Sequence, residues 1–392
     1  MKLLWRRINM ELHESFDQGL FDGLIEEPAS RKTKKEFKPW HNPRKQLVRK
    51  EQWIYFTSKY LANILSGRTT LKYFSLPGDD LLDVRVFHDS ICEPKKIQLN
   101  FVGFNDHTSD PEREQDANLS LAEVRAMPFI DKESVYHENN VLHVGVFRSL
   151  AYTRMKDHGD YDVINLDFCD SITSCDPTKN EESHYHLLKN VINIQRSRDE
   201  PWLLFITTRV GSDHIQSDVL DLLTSCYEAN LEDDNFKSES INKYGISNSA
   251  ELNQALTKPD LFNKLICISI CKWLLSQALS SKPQVTVKVL DAMEYKVNPN
   301  APHADMISFA LYFVPHPDKD SDKIGLAPVM KQHQKFKEPE VSIPYLHRFS
   351  VTTNCDEWLT EDTSKKEAVI DESLQLLDSA RYDTTFYVAN FS

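Results

Sequence analysis

Glycine is scarce in this chain, ten residues in 392, and the scarcity excludes several function classes at once. No Gly-x-x-x-x-Gly-Lys-Ser/Thr loop and no Gly-x-Ser-x-Gly elbow occurs, and the His-Glu-x-x-His zinc motif is absent too. NTPase, serine-hydrolase and zinc-protease chemistry therefore lack motif support. Cysteine is sparse as well: seven residues, an odd number, with no Cys-x-x-Cys pair, which argues against a closed disulfide framework and for reduced thiols. No window approaches the ~20 apolar residues that cross a bilayer. The opening "MKLLWRRINMELHESFDQ" has too short an apolar stretch, and gains acids too quickly, for a secretory signal. The expectation is a cytoplasmic protein without a membrane partner.

What is present is a globular composition, 40% hydrophobic and 27% charged, with a formal charge of −13. That charge discourages nonspecific contact with nucleic acid over most of the surface. One segment runs against it. From Arg31 to Lys50, "RKTKKEFKPWHNPRKQLVRK" carries nine basic residues and a single Glu, with Phe37 and Trp40 between them. Basic residues interleaved with aromatics can neutralise phosphates and stack on bases, so Lys34, Lys35, Arg44 and Lys45 are candidate nucleic-acid contacts. The same segment reads first as a solvated connector that docks on the chain's own acidic surface. No metal site is expected: Cys267 and Cys271 lie four apart, but within the apolar run "LICISICKWLL", and His184 and His186, two apart on a helix, diverge.

Three regions follow from composition: an N-terminal arm with a basic linker at 1–45, an α/β domain at 46–316, and a polar C-terminal extension at 317–392. "RKEQWIYFTSKYLANILSG" places Trp53, Phe56, Tyr60, Leu61 and Ile64 on one side of a helix. Apolar strands then alternate with helical segments: "LKYFSLPG", "KKIQLNFVGFND", "YDVINLDF" and "PWLLFITTRV" read as strands, and "VLHVGVF" as a strand or a helix entry. "DDLLDVRVFHDSI" predicts a helix capped by Asp79 or Asp80. Continuous apolar strands separated by amphipathic helices indicate a parallel sheet covered on both faces, a doubly wound α/β domain. "QVTVKVLDAMEY" and "MISFALYFVP" leave no room for a crossover helix and must pair antiparallel. In the extension, "KQHQKFKEPEVSIPYL" reads as loop, 364–380 as helix and "TTFYVANF" as a strand; the tail covers the core or offers an edge to a partner protein.

Ligands of open α/β sheets bind at the carboxyl ends of the strands. There the chain has "SLPGDD", with Pro77, Gly78 and Asp79; "GFND", with Asn105 and Asp106; "NLDF", with Asn165, Asp167 and Phe168; and "ITTR", ending at Arg209. A Gly after the first strand lets backbone approach a ligand, and carboxylates or amides after the second accept from hydroxyls. This order of elements resembles the class I S-adenosylmethionine-dependent methyltransferases, over roughly residues 46–316. The resemblance implies a mostly parallel seven-stranded sheet ending in an antiparallel pair. It also implies S-adenosylmethionine as cofactor, held by Pro77, Gly78, Asp79, Asn105 and Asp106, with Asn165, Asp167 and Phe168 at the reacting end. "NLDF" is similar both to the amino-methylating Asn/Asp-Pro-Pro-aromatic motif, matching Asn165 and Phe168, and to a Leu-Asp-Pro-aromatic motif, matching Asp167. Within the family "YFSLPG" and "DVINLDF" look nearest to bacterial three-Cys-motif partner and defence-associated methyltransferase-like proteins. Against the family's Asp/Glu-x-Gly-x-Gly-x-Gly loop, only Gly78 is kept. The resemblance thus leaves two functions open, methyl transfer to a nucleic acid or small molecule and a catalytically degenerate binding or assembly subunit.

Overall fold

The computed structural model describes residues 34, 36–63, 67–106, 110–176, 178, 180–317 and 336–391. The readings made for residues 1–33, Lys35, Ile64 and 318–335 lie outside the described residues. One sheet organises the rest. Its strands are β1 (Thr70–Ser75), β2 (Gln98–Asn105), β3 (Val135–Glu138), β4 (Val163–Asp167), β5 (Trp202–Arg209), β6 (Gln284–Tyr295), β7 (Met306–His316) and β8 (Thr353–Asn354), in the spatial order β3-β2-β1-β4-β5-β7-β6-β8. Every neighbouring pair is parallel except those of β7, which runs antiparallel to both β5 and β6. This is the mostly parallel α/β sheet with an antiparallel pair that was expected, with one correction: it has eight strands, not seven. The additional β8 pairs two residues, Thr353 and Asn354, with Met293 and Glu294, a length too short to leave any periodicity in sequence.

Two apolar layers cover the sheet. On one face, helix α1 (Pro43–Val48), a π-helical stretch Arg49–Ile54 and helix α2 (Tyr55–Asn63) form a continuous rod. Pro43 sits where its missing N–H costs nothing, and the Asn42 side chain accepts from Arg44 N, so the helix opens at a proline. Leu47, Val48, Trp53, Tyr60 and Leu61 bury their side chains among Tyr73, Val163 and Phe205. The rod's far end is tied to the amino end of β5, where Tyr60 Oη donates to the Pro201 carbonyl at 2.6 Å. Its beginning therefore reaches the opposite, carboxyl edge of the sheet.

Helix α3 (Leu82–Phe87) follows β1 and α4 (Pro111–Ala126) follows β2. Neither Asp79 nor Asp80 caps α3; the N-cap is Leu81, a buried residue with φ +51°. The segment read as a strand or helix entry, Val141–Gly145, is a 3-10 turn capped by Asn140, and β3 lies just before it. On the other face, α5 (His184–Ile194) and α6 (Pro259–Leu279) carry most of the core. Cys267 and Cys271 are fully buried there, as expected of small apolar residues. All seven cysteines are free thiols, and among the described residues no helix is long and apolar enough to cross a membrane.

The C-terminal extension is helical where loop and strand were expected. Helix α7 (Glu338–Ser350) keeps Pro344 inside it because Ser342, Tyr345, Leu346 and Phe349 are buried. Lys272 of α6 reaches Glu338 at 2.9 Å, and Tyr244 Oη donates to the Leu346 carbonyl at 2.9 Å. Tertiary packing overrides the local breaker. Helix α8 (Thr363–Ser379) matches the expectation, whereas "TTFYVANF" forms a short 3-10 turn and helix α9 (Tyr387–Phe391).

Candidate functional site at the carboxyl edge

The loop leaving β1 is shaped by two glycines. Gly78 has φ +64°, the left-handed region that L side chains rarely adopt, and a Cβ built on it meets nothing within 4 Å. Gly103 of β2 acts from beneath: a Cβ there would lie 2.8 Å from Pro77 Cγ, so only glycine lets the loop rest on the sheet. Asp79 follows and is held by three bonds. Arg113 Nε reaches Oδ2 at 2.8 Å and Nη2 reaches Oδ1 at 3.2 Å, and Asn105 Nδ2 reaches Oδ1 at 2.5 Å. Asn105 Nδ2 also donates to Tyr136 Oη at 2.8 Å, whose hydroxyl donates to the Gly78 carbonyl at 3.4 Å. Pro77, Gly78, Asp79 and Asn105 are thus brought together across the ends of β1 and β2, with exposed Asp106 the next residue along.

The next carboxylate, Asp80, is buried under both terminal segments. Lys34 pairs with it, Tyr382 Oη donates to Oδ2 at 2.7 Å, and His41 Nε2 lies 3.8 Å from Oδ2. Burial alone pushes this carboxyl up; His41, Lys34 and Tyr382 outweigh burial and hold it well below the usual carboxylate range. Phe37 stacks on Tyr382 at 5.8 Å, and Tyr387 Oη donates to the His41 carbonyl at 2.6 Å. The beginning and end of the described chain meet over the β1 loop.

At the end of β4 the three expected residues have separate environments. Asn165 is fully buried, donates through Nδ2 to Tyr73 Oη at 3.1 Å, and leaves its Oδ1 without a partner. Tyr73 in turn donates to Asp83 Oδ2 at 2.7 Å. Phe168 is 6% exposed and packs edge-to-face on His184, ring centroids 4.7 Å apart, so its faces are committed to the core. Asp167 alone stands partly open, its side chain 22% exposed, and it pairs with Lys45. The Lys45 ammonium is 2% exposed and lies 4.7 Å from the Trp53 ring centroid. Burial pushes the Lys45 ammonium below its usual range, and Asp167 pulls it part of the way back. The buried Arg49 guanidinium is one turn on and donates to the Trp40 carbonyl at 3.1 Å.

Lys45, expected among nucleic-acid contacts, instead pairs with Asp167 at the end of β4. Its segment read as a phosphate-binding strip, yet the described candidates Lys34, Arg44 and Lys45, and Lys50 beyond them, are turned onto the chain's own acids: Lys34 to Asp80, Arg44 to Asp356, Lys45 to Asp167 and Lys50 to Glu372. A lysine 2% exposed cannot reach a nucleic-acid phosphate. The signal that could have located it is the Asn42-Pro43 helix start, which fixes Lys45 at the first turn of a rod running to the carboxyl edge. Arg209, at the end of β5, makes no ion pair among the described residues; its backbone N–H donates to the Asp170 carbonyl at 3.3 Å.

Comparison with known proteins gives three results. No curated protein matches the sequence. Two solved structures of magnesium protoporphyrin IX methyltransferase (ChlM) from Synechocystis PCC 6803, one with bound SAM and one with bound SAH, align over 69% of this chain and 81% and 84% of theirs. Both share 9% identity at a TM-score of 0.30, a likeness too low to bear on the site. A family model spans nearly the whole described chain, residues 34–391, and on that match the protein belongs to the PP_RS20740-like family.

Proposed function

We propose that this protein binds S-adenosylmethionine at the carboxyl ends of β1 and β2 and transfers its methyl group to a nucleic-acid or small-molecule acceptor at the end of β4. The observation that carries this reading is the convergence of Gly78, Asp79, Asn105 and Asp167 on one edge of a methyltransferase-type sheet, from three neighbouring strands. Gly78 leaves open space where a side chain would otherwise stand, and Asn105 and Asp79 offer acceptors to a nucleoside's hydroxyls in exchange for their present mutual bond. S-adenosylmethionine, when bound, supplies an electrophilic methyl group on a sulfonium. The chain's part is to orient an acceptor and hold a proton. Lys45 and Asp167 share that position: Lys45 has a burial-lowered proton affinity, and Asp167 restores part of it.

Calorimetric titration with S-adenosylmethionine and S-adenosylhomocysteine tests the binding step. A saturable heat that is lost in Asn105→Leu supports it. Neither heat nor a thermal shift at millimolar ligand ends it.

A second reading is favoured by one specific observation. Asp167 is already neutralised by an almost fully buried lysine, and Asn165 is sealed beneath it. In that reading the methyltransferase fold serves as a binding or assembly subunit, of the defence-associated kind to which the narrower resemblance points, and uses its terminal segments against a partner. Cofactor binding without transfer of labelled methyl groups to any nucleic-acid or small-molecule pool, together with co-purification of a partner from the native host, would favour it. Robust transfer by a solitary monomer would remove it.

A further inference from the structure

We propose a divalent-metal site, sharing no residue with the cofactor edge, at the side chains of His88, Asp89 and Glu93. Among the described residues, these bring one donor atom each within 4.8 Å of one another, close enough to share a single ion. They stand on the helical segment between β1 and β2, where α3 runs on into a π-helical turn, His88–Cys92. The backbone makes the cluster. Residues five apart point about 140° away from each other on an α-helix of 3.6 residues per turn, so Glu93 would not meet His88 there. In the wider turn the Glu93 N–H donates to the His88 carbonyl, and residue i+5 returns over residue i.

The observation that points to a cation is the setting of the imidazole. His88 is 3% exposed, and its Nε2 lies 2.7 Å from the Pro128 carbonyl in the loop after α4. A carbonyl can only accept, so Nε2 carries the hydrogen, and Nδ1 is the atom turned to the carboxylates, 2.6 Å from Asp89 Oδ1. Two acceptors face each other at that distance only with a positive charge between them. A proton meets that need for Asp89 alone. A divalent ion meets it for Asp89 and Glu93 together and offsets the charge of both. An imidazole anchored through its far nitrogen on a backbone carbonyl is also the arrangement that orients metal-binding histidines.

Ligand chemistry selects the ion. One imidazole nitrogen with two carboxylate oxygens suits zinc, and manganese less tightly; magnesium keeps to oxygen ligands and its own water. Asp89 and Glu93 are exposed, so an ion enters from solvent, and water completes its shell. The site is therefore exchangeable rather than closed. A bound ion would fix the π turn and, through His88 and the Pro128 carbonyl, the loop that follows α4.

The test uses the full chain, stripped with a chelator and titrated calorimetrically with zinc, manganese and magnesium chlorides. Zinc is expected to bind saturably and tightest, manganese more weakly and magnesium weakest, with a zinc-dependent rise in melting temperature. His88→Gln should abolish the zinc site, but the residue is buried and the variant could fail to fold. Asp89→Asn and Glu93→Gln, both on the exposed side, serve beside it. Each should weaken zinc by at least about 10-fold, the loss that even an outer-shell partner of a ligand brings. Glu93→Gln should leave the melting temperature of the metal-free protein unchanged. No saturable zinc binding overturns the proposal and leaves a proton between His88 and Asp89. Zinc binding indifferent to both carboxylate substitutions overturns it too, as does equal affinity for zinc and magnesium.

Discussion

Removing the carboxylate of Asp167 isolates a charge the fold has already buried. The Lys45 side chain is 2% exposed and has one anionic partner among the described residues, Asp167. Breaking such a pair from one side typically costs about 3–5 kcal/mol, because the remaining ion keeps its desolvation penalty without its compensation. Asp167 is itself 22% exposed, and the Trp53 ring still faces the ammonium, so the lower end applies. Asp167→Asn should therefore lose about 3 kcal/mol, read by urea unfolding followed through tryptophan fluorescence. Lys45→Met removes the buried charge instead and leaves Asp167 to water, at a cost of about 1 kcal/mol, so the two changes should couple in a double-mutant cycle.

The pH dependence has a definite sign. The folded-state affinity of Lys45 for its proton lies below the unfolded value of 10.5, so the unfolded chain binds more protons in the interval between them, and stability rises with pH across it. Without Asp167 the folded value falls further and the interval widens toward neutrality. The Asp167→Asn variant should regain part of its deficit as pH rises toward 10.5. A deficit under about 1 kcal/mol together with a pH slope equal to the parent's would refute the reasoning, since a pair that does not compensate burial produces neither effect.

Two further outcomes follow from other sites. Gly103→Ala places a methyl 2.8 Å from Pro77 Cγ; overpacking of this kind costs about 1–3 kcal/mol, and the displaced β1 loop should weaken S-adenosylmethionine more than it lowers the melting temperature. A full-strength nucleoside affinity in this variant would separate the loop from the site. Burial pushes His184 down to about 4 from its ordinary 6.5, with Asp170 opposing. The stability it contributes is complete above pH 6.5 and is lost as pH falls toward 4, so His184→Gln should flatten the acid limb of an unfolding profile in that window. An unchanged limb would place the titration elsewhere.

The parts of the fold that sequence made legible are those with a strong period. β1, β2, β4 and β5 are predominantly apolar runs, and β6 and β7 lie too close for a crossover, so a mostly parallel sheet ending in an antiparallel pair follows from sequence. The short or context-driven parts were not legible. β3 spans four half-buried residues, β8 two, and helix α7 carries a proline that only its buried face explains. Two helices, Asp234–Tyr244 and Ser249–Leu256, have polar sequences in which capping by Asp233 and Asn248 outweighs periodicity. At the site, the "NLDF" strand end located Asn165 and Asp167 on β4, but no local pattern distinguishes a side chain sealed under Tyr73 from one at the rim. The pairing of Lys45 with Asp167 joins positions 122 apart, and no local pattern announces such a contact.

The small strand β8 has a consequence for how anything could join this molecule. Strand addition needs a row of unclaimed amides along the outermost strand. On one flank that row belongs to β6, and the chain spends its own tail there: β8 takes Met293 and Glu294, and farther along Tyr345 Oη donates to the Val287 carbonyl at 2.6 Å. The opposite flank ends in β3, only four residues long. With part of one margin taken by the chain's own tail and the other only four residues long, a strand added to the described sheet would have to displace β8 to run the length of β6, or settle for a short pairing at β3.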